Sequence, residues 1–495
     1  MSGGSHKLVV EFFYDIVCPF AYIASTRIEA IAAQASATVI WRPVLLGGIY
    51  KATQAPQGAD GSATDAFNSA KKAVFGRAFA RTVKRLGIPL KQPAQHPRKT
   101  IDALRLLHYL PSDARVAVTH ALFKAYWVDE VHIADRDVLL DTARLALDKM
   151  PAAQALLTPA LFDDQQPRQY LERATADAIE RGAPGVPGFW IPGETWQDSS
   201  GNTRQGRLYW GQDRMHFVQA SLMRLNGGLS SVRGVPMLRD LIPRCRKPTR
   251  LQEPVKLEFW FDFASPWAYI GWTRLESLRR SFGNQLEIEL KPILLGALFK
   301  EIGAPLLPLT SMSEQRRRYY LQDMHDWVKF WNDVDRQEDS SREPTGFRWP
   351  DVFPIRSPTL LRCAIADPSC ISALYRACWV LNLDVSKEDV LKNVLAGAGF
   401  DAEHVLAQAR TPANKEALFT NTKMAVEAGF CGVPTYRVFR REPSGTWKPT
   451  GGFVWGQDET AVVEDLIAGW DENSAEVVQR PEEMMITGSK SHAQL

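Results

Sequence analysis

The sequence predicts an α/β chain made of two tandem copies of one fold, and three observations support this prediction. First, DIVCPFAYI at residues 15–23 recurs as DFASPWAYI at 262–270, with five of nine positions identical. Second, the later landmarks recur in the same order, and Pro187 lies as far from the first repeat as Pro434 lies from the second. Third, each half opens with an alternating apolar run, KLVVEFFYD or KLEFWFDF, that is typical of a buried strand. Internal repetition on this scale indicates a duplicated domain.

Both halves predict the same order of elements. A helix begins near Cys18 or Ser265, and the proline that follows falls in the first turn, where its missing N–H costs nothing. A second strand (ATVIWRPVLL or LEIELKPILL) precedes a long, mainly helical stretch, after which come two short strands and a last helix that opens at Asp213 or Asp458. The order is β-α-β, an all-helical insertion, then β-β-α. It predicts two tandem thioredoxin-like domains, each with a helical insertion.

The expected domain boundaries follow from the repeat and from composition. The first thioredoxin-like domain spans 1–225 and the second spans 255–470. Residues 226–254 are rich in Gly, Pro and basic side chains, which indicates a linker. Residues 471–495 are polar and acidic, which indicates a disordered tail.

The composition is that of an ordinary globular protein, with 45% hydrophobic and 23% charged residues. A net charge of only +3 gives no strong field to attract nucleic acid or an anionic membrane. No secretory signal or membrane-spanning apolar run is present, and the 6 cysteines and 9 histidines show no disulfide framework and no zinc-ligand spacing. We therefore expect a cytoplasmic protein with no metal site, no nucleic-acid partner and no membrane association. The C-terminal Ala-Gln-Leu loosely resembles a peroxisomal address with Gln in the basic position, which leaves a peroxisomal location open.

Cys18 and Ser265 stand where the first helix of each half begins. Unpaired N–H groups and the helix dipole place partial positive charge there, which favours a thiolate. Cys18 could carry its own thiolate, whereas the Ser265 hydroxyl could donate a hydrogen bond to a thiolate that belongs to a ligand. The alternative is that both residues only cap the helix, a role for which Ser is well suited and Cys is not.

The Gly-Val-Pro segments contain Val186-Pro187 and Val433-Pro434. A proline that begins a strand in a thioredoxin-like domain is commonly cis, and the residue before it then turns its N–H and C=O toward the helix start. Such groups can pair with an extended peptide. Val186 and Val433 are therefore expected to bind a ligand through backbone atoms, although a plain turn proline is the alternative.

Gln212-Asp213 and Gln457-Asp458 follow a Trp-Gly pair in each half and precede the last helix. Each aspartate is expected to cap that helix. A carboxylate beside exposed N–H groups would also suit a zwitterion, with the carboxylate binding the ammonium group and the N–H groups binding the carboxylate of the ligand. A thiolate, a peptide bond and an amino-acid head group together describe glutathione.

The motifs YDxxCPFAY, FDFxSPWAY, GVP and WGQD resemble those of the kappa-class glutathione transferases and the related 2-hydroxychromene-2-carboxylate isomerases. These are thioredoxin-fold proteins with a helical insertion, related to the disulfide oxidoreductase DsbA, and the resemblance covers both halves apart from the linker and tail. It implies glutathione as the cofactor, with Ser265 stabilising its thiolate, Val433 beside Pro434 pairing with its cysteinyl backbone, and Asp458 with Gln457 holding its γ-glutamyl group. In the first half the same roles fall on Cys18, Val186 beside Pro187, Asp213 and Gln212.

The sequence departs from the family pattern in three places. Cys18 replaces serine in the first half. Ala55 and Ala304 stand near the position of an asparagine that helps to hold glutathione in the family. Two copies are fused where the family's subunits usually pair, so we expect an intramolecular pseudo-dimer that could assemble further into a homo-oligomer.

These observations favour a glutathione-dependent transferase or isomerase that acts on a small, aromatic or electrophilic substrate, with the second half as the better-preserved site. A stripe at helical spacing could line the pocket for that substrate or form plain core; it comprises Tyr320, Met324, Trp327 and Trp331. Two alternatives remain open. Cys18 could form a mixed disulfide with glutathione as a monothiol, since Ala21 stands where a resolving cysteine would. The chain could also be a non-catalytic glutathione-binding accessory protein.

Overall fold

A computed structural model describes residues 7–198, 201–227 and 237–478. The first lobe has strands β1 (Val9–Tyr14), β2 (Thr38–Pro43), β3 (Gly188–Gln197) and β4 (Thr203–Trp210), and helices α1 (Pro19–Ser25), α2 (Ile28–Gln34), α3 (Leu46–Ala52), α4 (Ser69–Arg85), α5 (Ile101–Tyr109), α6 (Ser112–Trp127), α7 (Arg136–Ala146), α8 (Pro151–Gln154), α9 (Gln165–Glu180) and α10 (Met215–Leu225). The second lobe has strands β5 (Val255–Phe261), β6 (Leu286–Pro292), β7 (Thr435–Arg441) and β8 (Trp447–Trp455), and helices α11 (Pro266–Phe282), α12 (Leu295–Glu301), α13 (Glu314–Glu338), α14 (Pro358–Ala366), α15 (Ile371–Trp379), α16 (Glu388–Gly397), α17 (Ala402–Arg410), α18 (Pro412–Glu427) and α19 (Thr460–Ile467).

Each lobe contains one four-stranded sheet with the same topology. The strand orders are β2-β1-β3-β4 and β6-β5-β7-β8. The opening strand of each lobe pairs in parallel with the second strand and antiparallel with the third, which pairs antiparallel with the fourth. This is the arrangement of a thioredoxin domain, and the prediction of two tandem copies is confirmed.

The opening strands lie inside the sheets, and most of their side chains are apolar, with Glu11 and Glu258 as buried exceptions. Phe12, Phe13 and Tyr14 in β1 are buried, as are Phe259 and Phe261 in β5. The sequence of a strand that is buried on both faces is a nearly continuous apolar run. The helix that follows each opening strand begins just beyond the C-terminal end of that strand. The residues that begin α1 and α11 are therefore held on a rigid support.

Helices α4 to α9 and α13 to α18 form the insertions, as the sequence predicts. The longest of them, α13, packs across the lobe boundary. The indole ring of Trp327 lies against His216 and Phe217 of α10, with ring centroids 4.8 Å and 5.0 Å apart. The Tyr319 hydroxyl accepts a hydrogen bond from the backbone N–H of Trp210 at 2.8 Å. The two lobes thus share a buried aromatic contact region.

The stripe on α13 belongs mainly to this contact region. Met324, Trp327 and Trp331 are buried, while the Tyr320 hydroxyl accepts a hydrogen bond from the indole N–H of Trp267, two residues after Ser265. Tyr320 thus contacts the opening turn of α11 through Trp267. Most of the stripe is therefore buried core, as the alternative interpretation of the sequence predicts.

The end of the chain differs from the expected disordered tail. Trp470 is buried, and its indole N–H donates to the carbonyl of Glu476 at 3.1 Å. The backbone N–H of Val478 donates to the carbonyl of Arg85 at 2.7 Å, at the end of α4. Residues 471–478 therefore pack on the first lobe, where the carboxylate of Glu472 also accepts a hydrogen bond from the guanidinium of Arg81. Residues 479–495, with Ala-Gln-Leu, lie outside the described residues.

Within the described ranges, no helix combines the length and the apolar character needed to cross a bilayer.

Candidate active site

In the second lobe, the start of α11 touches the Gly-Val-Pro turn. Ser265 is the N-cap of α11, and its Oγ accepts a hydrogen bond from the backbone N–H of Ala268 at 3.2 Å. The same hydroxyl donates to the carbonyl of Val433 at 3.2 Å. The Val433-Pro434 bond is cis, as the sequence predicts. The serine is therefore both a cap and a neighbour of the turn, so the two alternatives for Ser265 are not exclusive.

Cys18 occupies the matching position in the first lobe. Its thiol donates to the carbonyl of Val186 at 3.3 Å, beside the cis bond between Val186 and Pro187. Burial raises the pKa of the Cys18 thiol to about 12, because the helix N-terminus does not compensate for the lost hydration. The expectation that this helix start favours a thiolate on Cys18 is therefore wrong for this structure. The residue is a neutral, buried thiol at neutral pH.

The two turns present the backbone groups that an extended peptide would need. The carbonyls of Val186 and Val433 accept hydrogen bonds from the side chains at the helix starts. Their backbone N–H groups have no acceptor in the part of the chain that the structure describes. A backbone donor shielded from water without a partner costs free energy. Each turn is therefore suited to pair with the carbonyl of a bound peptide.

The aspartates before the last helices do not act as N-caps. Asp213 lies in a 3-10 turn (Gln212–Arg214) and Asp458 in the matching turn (Gln457–Glu459), so that α10 and α19 begin two residues later and have no side-chain cap. Gly211 makes this geometry possible, because its φ of 109° suits glycine and a Cβ there would collide with the Asp213 carboxylate. The predicted capping role of both aspartates is wrong, since the intervening turn leaves their carboxylates free for other partners.

The two glutamines are held by protein partners. The Oε1 and the backbone carbonyl of Gln212 each accept from the Arg27 guanidinium at 3.4 Å. Gln457 is fully buried, and its Oε1 accepts from the indole N–H of Trp331 at 3.2 Å. These contacts hold the two 3-10 turns in place. The side chains of Asp213 and Asp458, next to the glutamines, are more exposed to solvent than the glutamines are.

Sequence reasoning missed Arg214, which joins the two aspartates. Its guanidinium makes two hydrogen bonds of 2.8 Å to the carboxylate of Asp323 on α13. It also donates to Asp213 at 2.6 Å and to Asp458, in the other lobe, at 3.2 Å. The one available signal was a break in the repeat, because Gln-Asp-Arg in the first half matches Gln-Asp-Glu in the second.

This cluster carries more negative than positive charge. Burial raises the pKa of Asp323 and of Asp458, although Arg214 lowers both. Three carboxylates facing one guanidinium repel one another, since like charges disfavour the ionised form. The cluster would therefore stabilise an additional cation, such as the ammonium group of an amino acid.

Glu459, the counterpart of Arg214, gives a testable pH dependence. Burial and the charge of Asp458 raise the pKa of Glu459 from 4.5 to about 7, against the opposing charges of Arg85 and Arg81. A carboxyl group whose pKa is higher in the folded than in the unfolded state stabilises the folded state fully below the unfolded pKa of 4.5. This stabilisation is lost as the pH rises through the folded pKa of about 7. We expect Glu459→Gln to raise the melting temperature more at pH 8 than at pH 5.

Thermal denaturation at the two pH values measures this difference. Glu416→Gln is the matched control, because Glu416 is exposed on α18, and it should change the melting temperature equally little at both. An increase of the same size at pH 5 and pH 8 for Glu459→Gln would contradict the assignment.

The described residues contain no group of three or more His, Cys, Asp or Glu side chains placed to hold a metal ion. All six cysteines are free.

Two thioredoxin-type lobes, each with a helix start facing a cis-proline turn, define the class of this protein as a tandem thioredoxin-fold protein of the DsbA type. The family model of the DSBA-like thioredoxin domain matches residues 9–223, 256–345 and 360–468. The chain belongs to that family.

Known relatives are similar to one lobe at a time. A 2-hydroxychromene-2-carboxylate isomerase of Pseudomonas putida is 24% identical over 230 residues, which are 45% of this chain and 100% of that protein. A solved structure of a 2-hydroxychromene-2-carboxylate isomerase is 19% identical with a TM-score of 0.35 and covers 45% of this chain and 100% of its own. The cytosolic disulfide reductase DsbM from Pseudomonas aeruginosa is 15% identical with a TM-score of 0.28 and covers 45% and 98%.

Proposed function

We propose that this protein is a glutathione-dependent transferase or isomerase that acts on a small electrophile at the second lobe. The observation that carries the proposal is the placement of the Ser265 hydroxyl 3.2 Å from the carbonyl of Val433, beside a backbone N–H without an intramolecular acceptor among the described residues. A hydroxyl donor and an unpaired backbone N–H at one helix start match a thiol-bearing peptide.

The residues fit glutathione at three points. The N–H of Val433 would pair with the cysteinyl carbonyl. The Ser265 hydroxyl, which now donates to Val433, would turn to donate to the sulfur and release the Val433 carbonyl for the cysteinyl N–H. The carboxylate of Asp458, in a cluster with excess negative charge, would hold the γ-glutamyl ammonium.

Glutathione, when bound, would supply the nucleophilic sulfur for addition to an electrophilic carbon. The task of the protein is to keep that sulfur ionised at neutral pH. A hydrogen bond from Ser265 to an anion is stronger than one to a neutral group, and the positive end of α11 favours the same charge. The start of α11 is held at the end of β5, so only the Ser265 hydroxyl has to rotate for both interactions to form.

The isomerase relative supports an isomerisation as well as a conjugation. Its name states that it acts on 2-hydroxychromene-2-carboxylate, a carboxylate-bearing ring compound, and we propose a substrate of that class for this protein. The alternative in which Cys18 acts as a monothiol has less support, because burial keeps its thiol neutral.

We further propose that the two lobes act as an intramolecular pseudo-dimer. The shared guanidinium of Arg214 between Asp213 and Asp458 supports it, as does the packing of Trp327 on the first lobe.

Asp458→Ala is expected to weaken glutathione binding by about 10-fold to 100-fold, since a hydrogen bond to a charged group contributes about 1.5–3 kcal/mol. Titration calorimetry measures the affinity directly. Asp141→Ala is the control, because this carboxylate is 71% exposed on α7, and it should bind glutathione as the unmodified protein does. Equal affinity for Asp458→Ala would place the γ-glutamyl group elsewhere, and absence of glutathione binding to the unmodified protein would contradict the proposed function.

A further inference from the structure

Arg316 reaches from the second lobe to the Gly-Val-Pro turn of the first. It lies in the first turn of α13, three residues after the N-cap Ser313. Its neighbour Gln315 donates to the carbonyl of Ala183 at 2.7 Å and to that of Ile179 at 3.1 Å. One turn later, the Tyr319 hydroxyl accepts a hydrogen bond from the backbone N–H of Trp210. These contacts fix the start of α13 against the first lobe.

The side chain of Arg316 then lies close to the turn itself. Its guanidinium carbon is 5.6 Å from the centroid of the Trp210 ring. Trp210 and Tyr50 both flank Gly185, because a Cβ on Gly185 would meet Trp210 Nε1 at 3.3 Å and the Tyr50 ring at 3.6 Å. Gly185 immediately precedes Val186, whose N–H lacks an intramolecular acceptor in the described chain. A ligand paired with Val186 would therefore extend toward Arg316.

The guanidinium of Arg316 is partly buried and has no carboxylate partner among the residues that the structure describes. Burial lowers the pKa of Arg316, and only the hydroxyls of Tyr50 and Tyr320 oppose this effect. The nearby indole N–H of Trp210 is also buried and has no acceptor within the described ranges. A buried cation is normally paired, so this pair of unused donors indicates a missing acceptor.

We propose that Arg316 forms an anion subsite between the lobes that binds a carboxylate group of the small-molecule ligand held at the Val186 turn. Arg316 offers the planar pair of donors that matches a carboxylate, and Trp210 and Tyr50 supply an aromatic wall. Since Arg316 belongs to the second lobe, the first-lobe site is complete only when the two lobes are packed together.

The carboxylate could come from glutathione, in which case the inference rests on the proposed function, or from the electrophile. Four probes separate these sources in the full chain by titration calorimetry. Glutathione is compared with its glycine monoethyl ester, and 2-naphthoate is compared with neutral 2-naphthamide. In the unmodified protein we expect the carboxylate member of at least one pair to bind 10-fold or more tightly than its neutral analogue.

Arg316→Gln should remove that difference, and Arg316→Lys, which keeps the charge but not the planar pair of donors, should retain part of it. Arg317→Gln is the matched control, because Arg317 is exposed on the same helix, and it should preserve the difference. The melting temperature verifies the fold of each variant. The naphthoate pair still tests the subsite if the protein binds no glutathione.

A difference confined to the glutathione pair would assign the carboxylate to glutathione, and one confined to the naphthoate pair would assign it to the electrophile. The proposal is overturned if neither pair differs in the unmodified protein, or if Arg316→Gln leaves the difference unchanged.

Discussion

Ser265→Ala is expected to lower kcat/KM for glutathione-dependent turnover by about 100-fold to 1,000-fold, the usual effect of removing one preorganised donor to a developing anion. In the structure the Ser265 hydroxyl is the side-chain donor that reaches the Val433 carbonyl, at 3.2 Å. The substitution leaves the helix, the turn and Asp458 in place. The loss should therefore fall on kcat more than on the affinity for glutathione.

Steady-state kinetics with a chlorodinitrobenzene as a generic electrophile measures this loss, since the carbon–sulfur bond forms as chloride leaves and the thiol proton passes to solvent. Ser265→Thr keeps a hydroxyl and should recover most of the activity. Cys18→Ala is the matched change in the first lobe, and we expect little effect because that thiol is neutral and buried. If Cys18→Ala abolishes turnover while Ser265→Ala does not, the active lobe has been assigned wrongly.

Arg214→Ala is expected to lower the free energy of unfolding by about 3–5 kcal/mol, because removing one partner of a buried ion pair leaves its counterpart uncompensated. Asp323 is buried and makes both of its hydrogen bonds to Arg214. Asp213 and Asp458 would also lose their shared cation. Urea denaturation of the full chain at neutral pH measures the loss.

The pH dependence separates this electrostatic effect from simple loss of packing. Without Arg214 the pKa of Asp323 would rise further, so the deficit should shrink as the pH falls and the carboxylates become protonated. Arg224→Ala serves as the control, because this side chain is 38% exposed and lies 3.9 Å from Asp333; an exposed pair of this kind contributes about 0–1 kcal/mol. A deficit for Arg214→Ala that is small, or that is independent of pH, would contradict a cohesive role for this guanidinium between the lobes.

Much of the fold could be predicted because each lobe repeats the same local patterns. The alternating strands, the proline in the first helical turn and the Gly-Val-Pro segment are short-range signals that appear twice. They place Ser265 beside Val433 and Cys18 beside Val186, as observed. Duplication supplies the long-range information that a single copy lacks.

The errors arise where tertiary packing decides the outcome. The thiolate expected on Cys18 fails because helix-start charge is a local signal, whereas burial depends on the whole lobe. The capping role expected for Asp213 and Asp458 fails because a 3-10 turn shifts the start of the last helix by two residues, a shift within the usual uncertainty of helix boundaries.

Arg214 and Arg316 were missed for a related reason. Each acts across the lobe boundary, on Asp458 and Asp323 in one case and on Trp210 in the other. Periodicity within one helix identifies the face that is buried but does not identify the surface that covers it. Comparison of the two halves was the available guide, since Arg214 matches Glu459.

The ionisation of bound glutathione tests the central claim most directly. The thiol pKa, read from the ultraviolet absorbance of the thiolate in the complex, should lie well below the ordinary thiol value of about 8.5 in the unmodified protein and should return toward that value in Ser265→Ala. An unshifted thiol pKa in the complex with the unmodified protein, or a lowered pKa that persists without the Ser265 hydroxyl, would contradict the account.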